Sequence, residues 1–246
     1  TEQAPIVQVT ADDGVTHTLW VVDDLENIET ITTTFESMDC LYIADGHHRS
    51  AAASRVAAKR QTSQDTGEEA YNYFLSVIFP DNQMKILDYN RVIQDLNGLS
   101  SEQFLEQLAT SFTIKLSNNA VKPQKSGEFG MYLDGKWYKL VIHPDKIPND
   151  PVAEIDVSLL TDNIFSPILN ITDLRRDKRV DFVGGIRGLS ELEKRVNSGE
   201  MKIAFSLYPT SMQQLMAVAD AEKIMPPKST WFEPKLADGI VSHLLS

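Results

Sequence analysis

The densest group of chemically capable side chains is the run Ala44-Asp45-Gly46-His47-His48-Arg49, which follows an apolar segment and precedes an Ala-rich one. A glycine at a turn lets the backbone approach a ligand closely, and a helix starting there presents free N–H groups at its positive dipole end. Two histidines and an arginine in the first turn oppose the usual preference for acids at that end. A bound anion would neutralise these cations, so the run predicts a strand–turn–helix that holds an anionic group.

Each side chain of this turn suits a defined role. Arg49 matches phosphate through its planar fork of donors, and His47 or His48 can donate or accept a proton near neutrality. Asp45 could act as general base for a hydroxyl or as a Mg²⁺ ligand. The structural alternative is that Asp45 caps the helix while the histidines pack or face water. We favour the functional interpretation, and zinc is disfavoured because the other histidines lack ligand spacing.

Three further segments carry weaker signals. Lys228, Ser229 and Thr230 follow two prolines, and a stiff loop with one cation and two hydroxyls either reaches a phosphate or forms a surface turn. The run from 184 to 188 (GGIRG) resembles a phosphate cradle but matches neither the Walker pattern nor the dinucleotide fingerprint, and a tight turn explains it equally well. Arg91 ends a predicted strand, where it either points into a cleft or forms an outward ion pair.

Composition limits the class of protein. The chain has 246 residues, 42% of them hydrophobic, which is enough for one large core or two smaller ones. With 23 basic and 35 acidic side chains the net charge is -12, which disfavours a nucleic-acid partner. Cys40 is the single cysteine, and no apolar run is long enough for a membrane span. We predict a soluble, cytoplasmic protein with no membrane partner, and a buried, inert Cys40. Because the chain opens at Thr1, we expect an upstream part to be missing.

Predicted strands and helices alternate without a regular βαβ period, which favours a mixed α+β fold: a mixed sheet with flanking helices. We predict two regions, 1–111 with the D-G-H-H-R turn and 112–246 with the M-P-P-K-S-T loop. The strongest local signal is the hairpin turn Asp134-Gly135. Predicted strands are 17–22, 40–44, 71–79, 84–92, 129–133, 136–142, 181–183 and 202–208. Predicted helices are 26–37, 48–60, 101–110 with Ser101 as cap, 157–170, 190–196 and 211–219.

Two motifs together resemble a known family. The D-G-H-H-R turn with its Ala-rich helix, and the segment from Met225 to Lys235, resemble the bacterial domain-of-unknown-function family numbered 1015. The turn is also similar to the ParB/sulfiredoxin superfamily, in which free-serine kinases carry a D-G-H-x-R form. The resemblance implies that Asp45 is the base for a serine hydroxyl and that His47, His48 and Arg49 bind phosphate. We therefore predict Asp45, His47 and His48 as catalytic residues, with Gly46 and Arg49 in the phosphate site. Lys228, Ser229 and Thr230 would add a further anion contact.

The leading hypothesis is phosphoryl transfer to a small hydroxyl metabolite such as L-serine. Pyrophosphate or a nucleotide would be the donor and Mg²⁺ the cofactor, because this reaction depends on charge neutralisation and in-line positioning. The alternative is a non-catalytic regulator that binds a nucleotide or another phosphorylated small molecule with the same residues. The two hypotheses differ at Asp45, which a catalyst requires and a regulator does not.

Overall fold

A computed structural model describes residues 3–245, and the chain divides into two compact units. One comprises the residues up to Phe79 together with those from Pro234 onward, and we call it the turn unit because it carries the D-G-H-H-R turn. The other, Pro80–Glu233, is called the sheet unit. This division differs from the predicted boundary at residue 111. Residues 80–111 belong with the later part of the chain because they supply an inner strand of its six-stranded sheet and a helix whose apolar side chains join the same core.

The sheet unit is built on six antiparallel strands in the order β5-β7-β6-β9-β4-β8. The α+β class with flanking helices is confirmed, but each described strand pairing is antiparallel where a mixed sheet was predicted. Tight connections such as the Asp134-Gly135 hairpin are too short for the crossover that a parallel pair requires. The strands of this unit are β3 (Lys85–Leu87), β4 (Tyr89–Ile93), β5 (Phe112–Ser117), β6 (Glu128–Leu133), β7 (Lys136–Ile142), β8 (Val180–Gly184), β9 (Ile203–Leu207) and β10 (Trp231–Glu233).

Helices cover both faces of this sheet, and β6 and β9 are buried along their whole length. The helices are α3 (Ser101–Leu108), α4 (Asp156–Leu160), α5 (Leu189–Asn197) and α6 (Met212–Asp220). Ser100 rather than Ser101 caps α3, in a capping box with Gln103. The predicted helix over 157–170 is only partly formed: α4 passes at Thr161–Phe165 into a π-helical turn, before Pro167.

The predicted strand over 84–92 is split between two sheets. Strand β3 pairs with β10, whereas β4 lies between β9 and β8 in the six-stranded sheet. The core of the unit consists of apolar side chains from both faces of that sheet. Its largest fully buried members include Phe104, Phe112, Phe129, Phe165 and Phe205.

The turn unit consists of the hairpin β1 (Val7–Thr10) and β2 (Thr16–Leu19), the helices α1 (Leu25–Glu36) and α2 (His47–Arg60), and long irregular segments. None of its described residues is buried. The strands predicted over 40–44 and 71–79 are wrong. An apolar run becomes a strand only where a second strand pairs with it, and neither run lies in any of the sheets formed by the described residues. Cys40 is exposed rather than buried.

No helix within residues 3–245 has both the length and the apolar character needed to cross a membrane.

Candidate functional site

The D-G-H-H-R turn forms the start of α2, as predicted, although no strand precedes it. Gly46 is the N-cap residue and has a φ of 84°, in the left-handed region that favours glycine. It supplies no side chain, and no side-chain cap bonds the first turn of the helix. The N–H groups that begin a helix have no intrahelical acceptor, so those of α2 are open to a ligand.

Asp45 precedes the cap and does not act as one. Its Oδ1 accepts a hydrogen bond from the Gly46 N–H at 2.7 Å, and its Oδ2 accepts one from Lys235 Nζ at 3.1 Å. Partial burial raises the pKa of Asp45. The hydrogen bonds from Lys235 and Gly46 and the charges of Lys235 and Arg49 lower it by a larger amount. The net pKa lies below the ordinary value, so the carboxylate is ionised at neutral pH.

Lys235 is the residue of this site that sequence reasoning missed. It closes the motif that begins at Met225, so the signal was present, but nothing in its spacing linked it to Asp45 190 positions earlier. The C-terminal segment also brings Asp238 to the turn, where its Oδ1 lies 3.5 Å from Arg49 Nη1. These two side chains are 78% and 93% exposed, so the pair contributes little and leaves Arg49 free to bind another anion.

The two histidines point into solvent. His47 and His48 are exposed, and neither ring has a hydrogen-bonding partner within residues 3–245. The turn therefore combines one ionised carboxylate, an ammonium, a guanidinium and two open imidazoles beside the start of a helix. This combination suits the binding of a phosphorylated small molecule.

The M-P-P-K-S-T loop lies in the sheet unit. Lys228 is exposed with a φ of 57°, and its ammonium lies 5.7 Å from the ring centroid of Tyr89. Ser229 is 5% exposed and its hydroxyl donates to the Pro226 carbonyl at 2.6 Å. The Ser229 hydroxyl thus holds the loop together and is not presented to an anion, whereas Thr230 is half-buried. Of the three predicted contacts in this loop, Lys228 is the one that points outward.

Comparison with known protein families identifies the family of this chain. The model of the family described as Protein of unknown function (DUF1015) matches residues 1–158, which include the D-G-H-H-R turn. The chain belongs to this family. The predicted resemblance is confirmed for the DUF1015 family, whereas the ParB/sulfiredoxin relationship stays a prediction. Among curated proteins, none matches this DUF1015 chain.

Three solved structures show a distant similarity to this DUF1015 protein. A free serine kinase in complex with AMP is 15% identical with a TM-score of 0.41, and a mutant of a free serine kinase with AMP is 14% identical with a TM-score of 0.42. Each alignment covers 84% of this chain and 78% of the other. A conserved hypothetical protein from Pyrococcus furiosus is 15% identical with a TM-score of 0.39, over 84% and 81% of the chains.

Two glycines of the DUF1015 chain that resembled a phosphate cradle are explained by packing. A Cβ on Gly184 would lie 2.4 Å from the Trp231 ring, and one on Gly185 would lie 2.3 Å from Asp88 Oδ1. The Gly185 N–H also donates to the Asp88 carbonyl at 2.8 Å. The space in front of both glycines is filled by protein, which favours the tight-turn interpretation.

Arg91 meets neither of its two predicted alternatives. It is fully buried, and its Nη2 donates to the Lys228 carbonyl at 2.8 Å. The guanidinium carbon lies 4.8 Å from the Phe182 ring centroid and 5.7 Å from that of Tyr89. Burial lowers the pKa of Arg91 to about 9. Arg91 therefore supports the M-P-P-K-S-T loop from within the DUF1015 fold.

Proposed function

We propose that this protein transfers a phosphoryl group to a small hydroxyl-bearing metabolite, with L-serine as the acceptor and pyrophosphate or a nucleotide as the donor. One observation carries the proposal. An ionised carboxylate, Asp45, is held 3.1 Å from Lys235 directly before the uncapped start of α2. Membership of a family of unknown function leaves the reaction open, so the residues of the turn provide the support.

Asp45 would accept the hydrogen bond of the acceptor hydroxyl and orient its oxygen toward the donor. Its lowered pKa makes it a weak base, but phosphoryl transfer has a loose transition state that depends on position and charge more than on early proton removal. Lys235 would hold the carboxylate in place and balance the negative charge brought by the donor.

The cationic side of the turn would bind the donor. Arg49 offers two parallel N–H bonds to phosphate oxygens, and His47, His48 and the free N–H groups of α2 add further donors around Gly46. Donors already aimed at the equatorial oxygens stabilise the charge that develops there without a cost of reorganisation. Lys228 would be an additional contact for an anion on its own unit.

Magnesium would be held at this site by a single protein carboxylate. Within residues 3–245 no cluster of three or more His, Cys, Asp or Glu side chains is arranged to hold a metal ion. Mg²⁺ at phosphoryl-transfer sites commonly takes one or two carboxylates and completes its shell with substrate phosphates and water. Asp45 would supply the protein ligand, and the bound ion would neutralise charge on the donor phosphates.

The test is a direct assay of the full chain for phosphoserine by ³¹P NMR, with L-serine and Mg²⁺, and with pyrophosphate, ATP or ADP as donor. Asp45→Asn should reduce turnover by about a hundredfold or more while pyrophosphate binding is retained. Asp39→Asn is the matched control, because Asp39 is an exposed acid of the same unit, six residues from the turn. Pyrophosphate binding without any turnover in the wild type would instead support the regulator.

A further inference from the structure

The C-terminal segment 235–245, which we call the strap, lies along α2 within the turn unit. Its first part meets the D-G-H-H-R turn, where Asp238 Oδ1 lies 3.5 Å from Arg49 Nη1. Its last part meets the other end of the helix, where Arg60 Nη1 donates a hydrogen bond to the Leu245 carbonyl. An extended segment of this length reaches at most about 35 Å, and a helix of this length measures about 20 Å. The strap is therefore long enough to span the helix, and it contacts the helix at both ends.

The far end of the strap is anchored by groups that lie outside the turn. His243 Nε2 is 2.8 Å from the Ala70 carbonyl oxygen, and because a carbonyl can only accept, this ring nitrogen donates. The guanidinium carbon of Arg60 lies 6.0 Å from the ring centroid of Tyr71, whose hydroxyl donates to Asp65 Oδ2 at 2.7 Å. An anion that binds at the start of α2 does not compete for any of these contacts. The far anchor should therefore persist when the turn is occupied.

The near end of the strap meets the turn through two ion pairs of opposite sense. The ammonium of Lys235 pairs with the carboxylate of Asp45, and the carboxylate of Asp238 pairs with the guanidinium of Arg49. A phosphate at Arg49 repels Asp238 and attracts Lys235, so only the second pair opposes its binding. Gly239 follows directly, with a φ of 85° and nothing within 4 Å of a Cβ built on it. The chain can therefore move Asp238 away without displacing packed atoms at this glycine.

Tethering, rather than packing, keeps Asp238 beside the turn. The large apolar side chains of the strap are mostly in solvent, since Leu236 is 53%, Val241 45% and Leu244 75% exposed. Contacts on both sides of Asp238 nevertheless hold its carboxylate near Arg49. A group tethered by a short segment acts at an effective concentration on the order of millimolar. Asp238 is therefore a permanent competitor for Arg49, although the exposed pair itself is weak.

We propose that the strap is an autoinhibitory contact: Asp238 occupies Arg49 in the anion-free turn, and phosphate oxygens reach the guanidinium only after Asp238 has moved away. The contact rests on the anion site of the proposed function. A carboxylate that must leave first lowers the affinity for every anion by one common factor, because the same pair is broken each time. A carboxylate that only repels from a distance lowers the affinity more for a more highly charged anion.

The experiment is calorimetric titration of the full chain with sulfate, inorganic phosphate and pyrophosphate at constant ionic strength. Asp238→Asn should raise the affinity by about two- to fivefold, and by the same factor for all three anions. The matched control is Asp39→Asn, which makes the same change of charge at an exposed acid of the same unit and should bind as wild type. A factor that grows from sulfate to pyrophosphate would show repulsion at a distance and overturn the strap.

Loosening the far anchor provides a second measurement. His243→Ala removes the hydrogen bond to Ala70, so it should raise the affinity for pyrophosphate, but by less than Asp238→Asn. In the Asp238→Asn background it should have no effect, because the tether acts only through that carboxylate.

The outcomes separate the strap from the proposed function. If the wild type binds pyrophosphate and Asp238→Asn binds it no better than Asp39→Asn, the strap alone is overturned. Equal effects of His243→Ala in the two backgrounds would also overturn it. If neither the wild type nor Asp238→Asn binds any of the three anions, the anion site itself fails, and the proposed function fails with the strap.

Discussion

Arg49 is the side chain of the turn whose present partner is easiest to displace. Its pair with Asp238 at 3.5 Å is exposed on both sides, and such pairs contribute at most about 1 kcal/mol. A phosphate that accepts two parallel bonds from the guanidinium competes well against it. The geometry therefore leaves Arg49 available as the main anion contact of α2.

We expect Arg49→Ala to weaken pyrophosphate binding by about tenfold or more, and Arg49→Lys to weaken it less, because lysine keeps the charge but loses the fork. Calorimetric titration at two salt concentrations measures both effects, and higher salt should weaken wild-type binding through screening. Asp238→Asn is the control and should bind at least as tightly as wild type. Equal affinity of Arg49→Ala and wild type would exclude Arg49 from the site.

The burial of Asp156 at the start of α4 predicts an unusual dependence of stability on pH. It is 4% exposed, and burial raises its pKa to about 6, although hydrogen bonds from Ser126 and Gly127 lower it. The pKa of Asp156 is higher in the folded state than in the unfolded state, so protonation of its carboxyl group stabilises the folded state. This stabilisation is complete below about pH 4 and is lost as the pH rises through about 6. It contributes at most about 3 kcal/mol to the free energy of unfolding.

Asp156→Asn should remove that contribution. The free energy of unfolding, measured with urea at several values between pH 4 and 7, should fall less steeply with pH in the variant than in wild type. Subtracting the two curves cancels the opposite slopes of carboxyls whose pKa is lowered, such as Glu128 and Asp177. Identical slopes for the two proteins would show that Asp156 titrates normally.

Between elements, the contact of β8 with β10 depends on the absence of a side chain. A Cβ on Gly184 would lie 2.4 Å from the Trp231 ring, so Gly184→Ala must displace the ring or the strand. Such overpacking costs about 1–3 kcal/mol in unfolding free energy. Near-ultraviolet circular dichroism should show the moved indole.

Gly199→Ala is the comparison for this variant. Nothing lies within 4 Å of a Cβ at Gly199, so its cost arises from its φ of 77° alone, and the aromatic signal should stay unchanged. An unaltered signal in Gly184→Ala as well would show that the β8–β10 contact adapts without strain.

For the whole molecule, burial is concentrated in one unit. All the buried apolar side chains of residues 3–245 belong to the sheet unit, and none belongs to the turn unit. Since hydrophobic burial is the main stabilising contribution, the two units should differ widely in stability.

We expect amide exchange of the full chain to be fast throughout the turn unit and slow in β4, β6 and β9. A fragment of residues 80–233 should fold alone and unfold cooperatively on heating, whereas residues 1–79 alone should show no cooperative transition. Exchange protection in α2 equal to that in β6 would contradict this division.

The features that the sequence determined are local ones. Helix α2 begins at the predicted turn, the capping serines begin α3 and α6 within one residue of the prediction, and Asp134-Gly135 joins two strands at the predicted place. Each depends on residues within a few positions of one another, whose propensities and caps act in any surrounding. The anion-binding character of the D-G-H-H-R turn is a prediction of the same local kind.

The tertiary structure decided what depends on distant partners. It split residues 84–92 between two sheets and left 40–44 and 71–79 outside the described sheets. It also buried Arg91 beneath Lys228 and brought Lys235 to Asp45. Strand pairing and burial require segments far apart in the chain, and periodicity within a segment carries no information about which partner it meets.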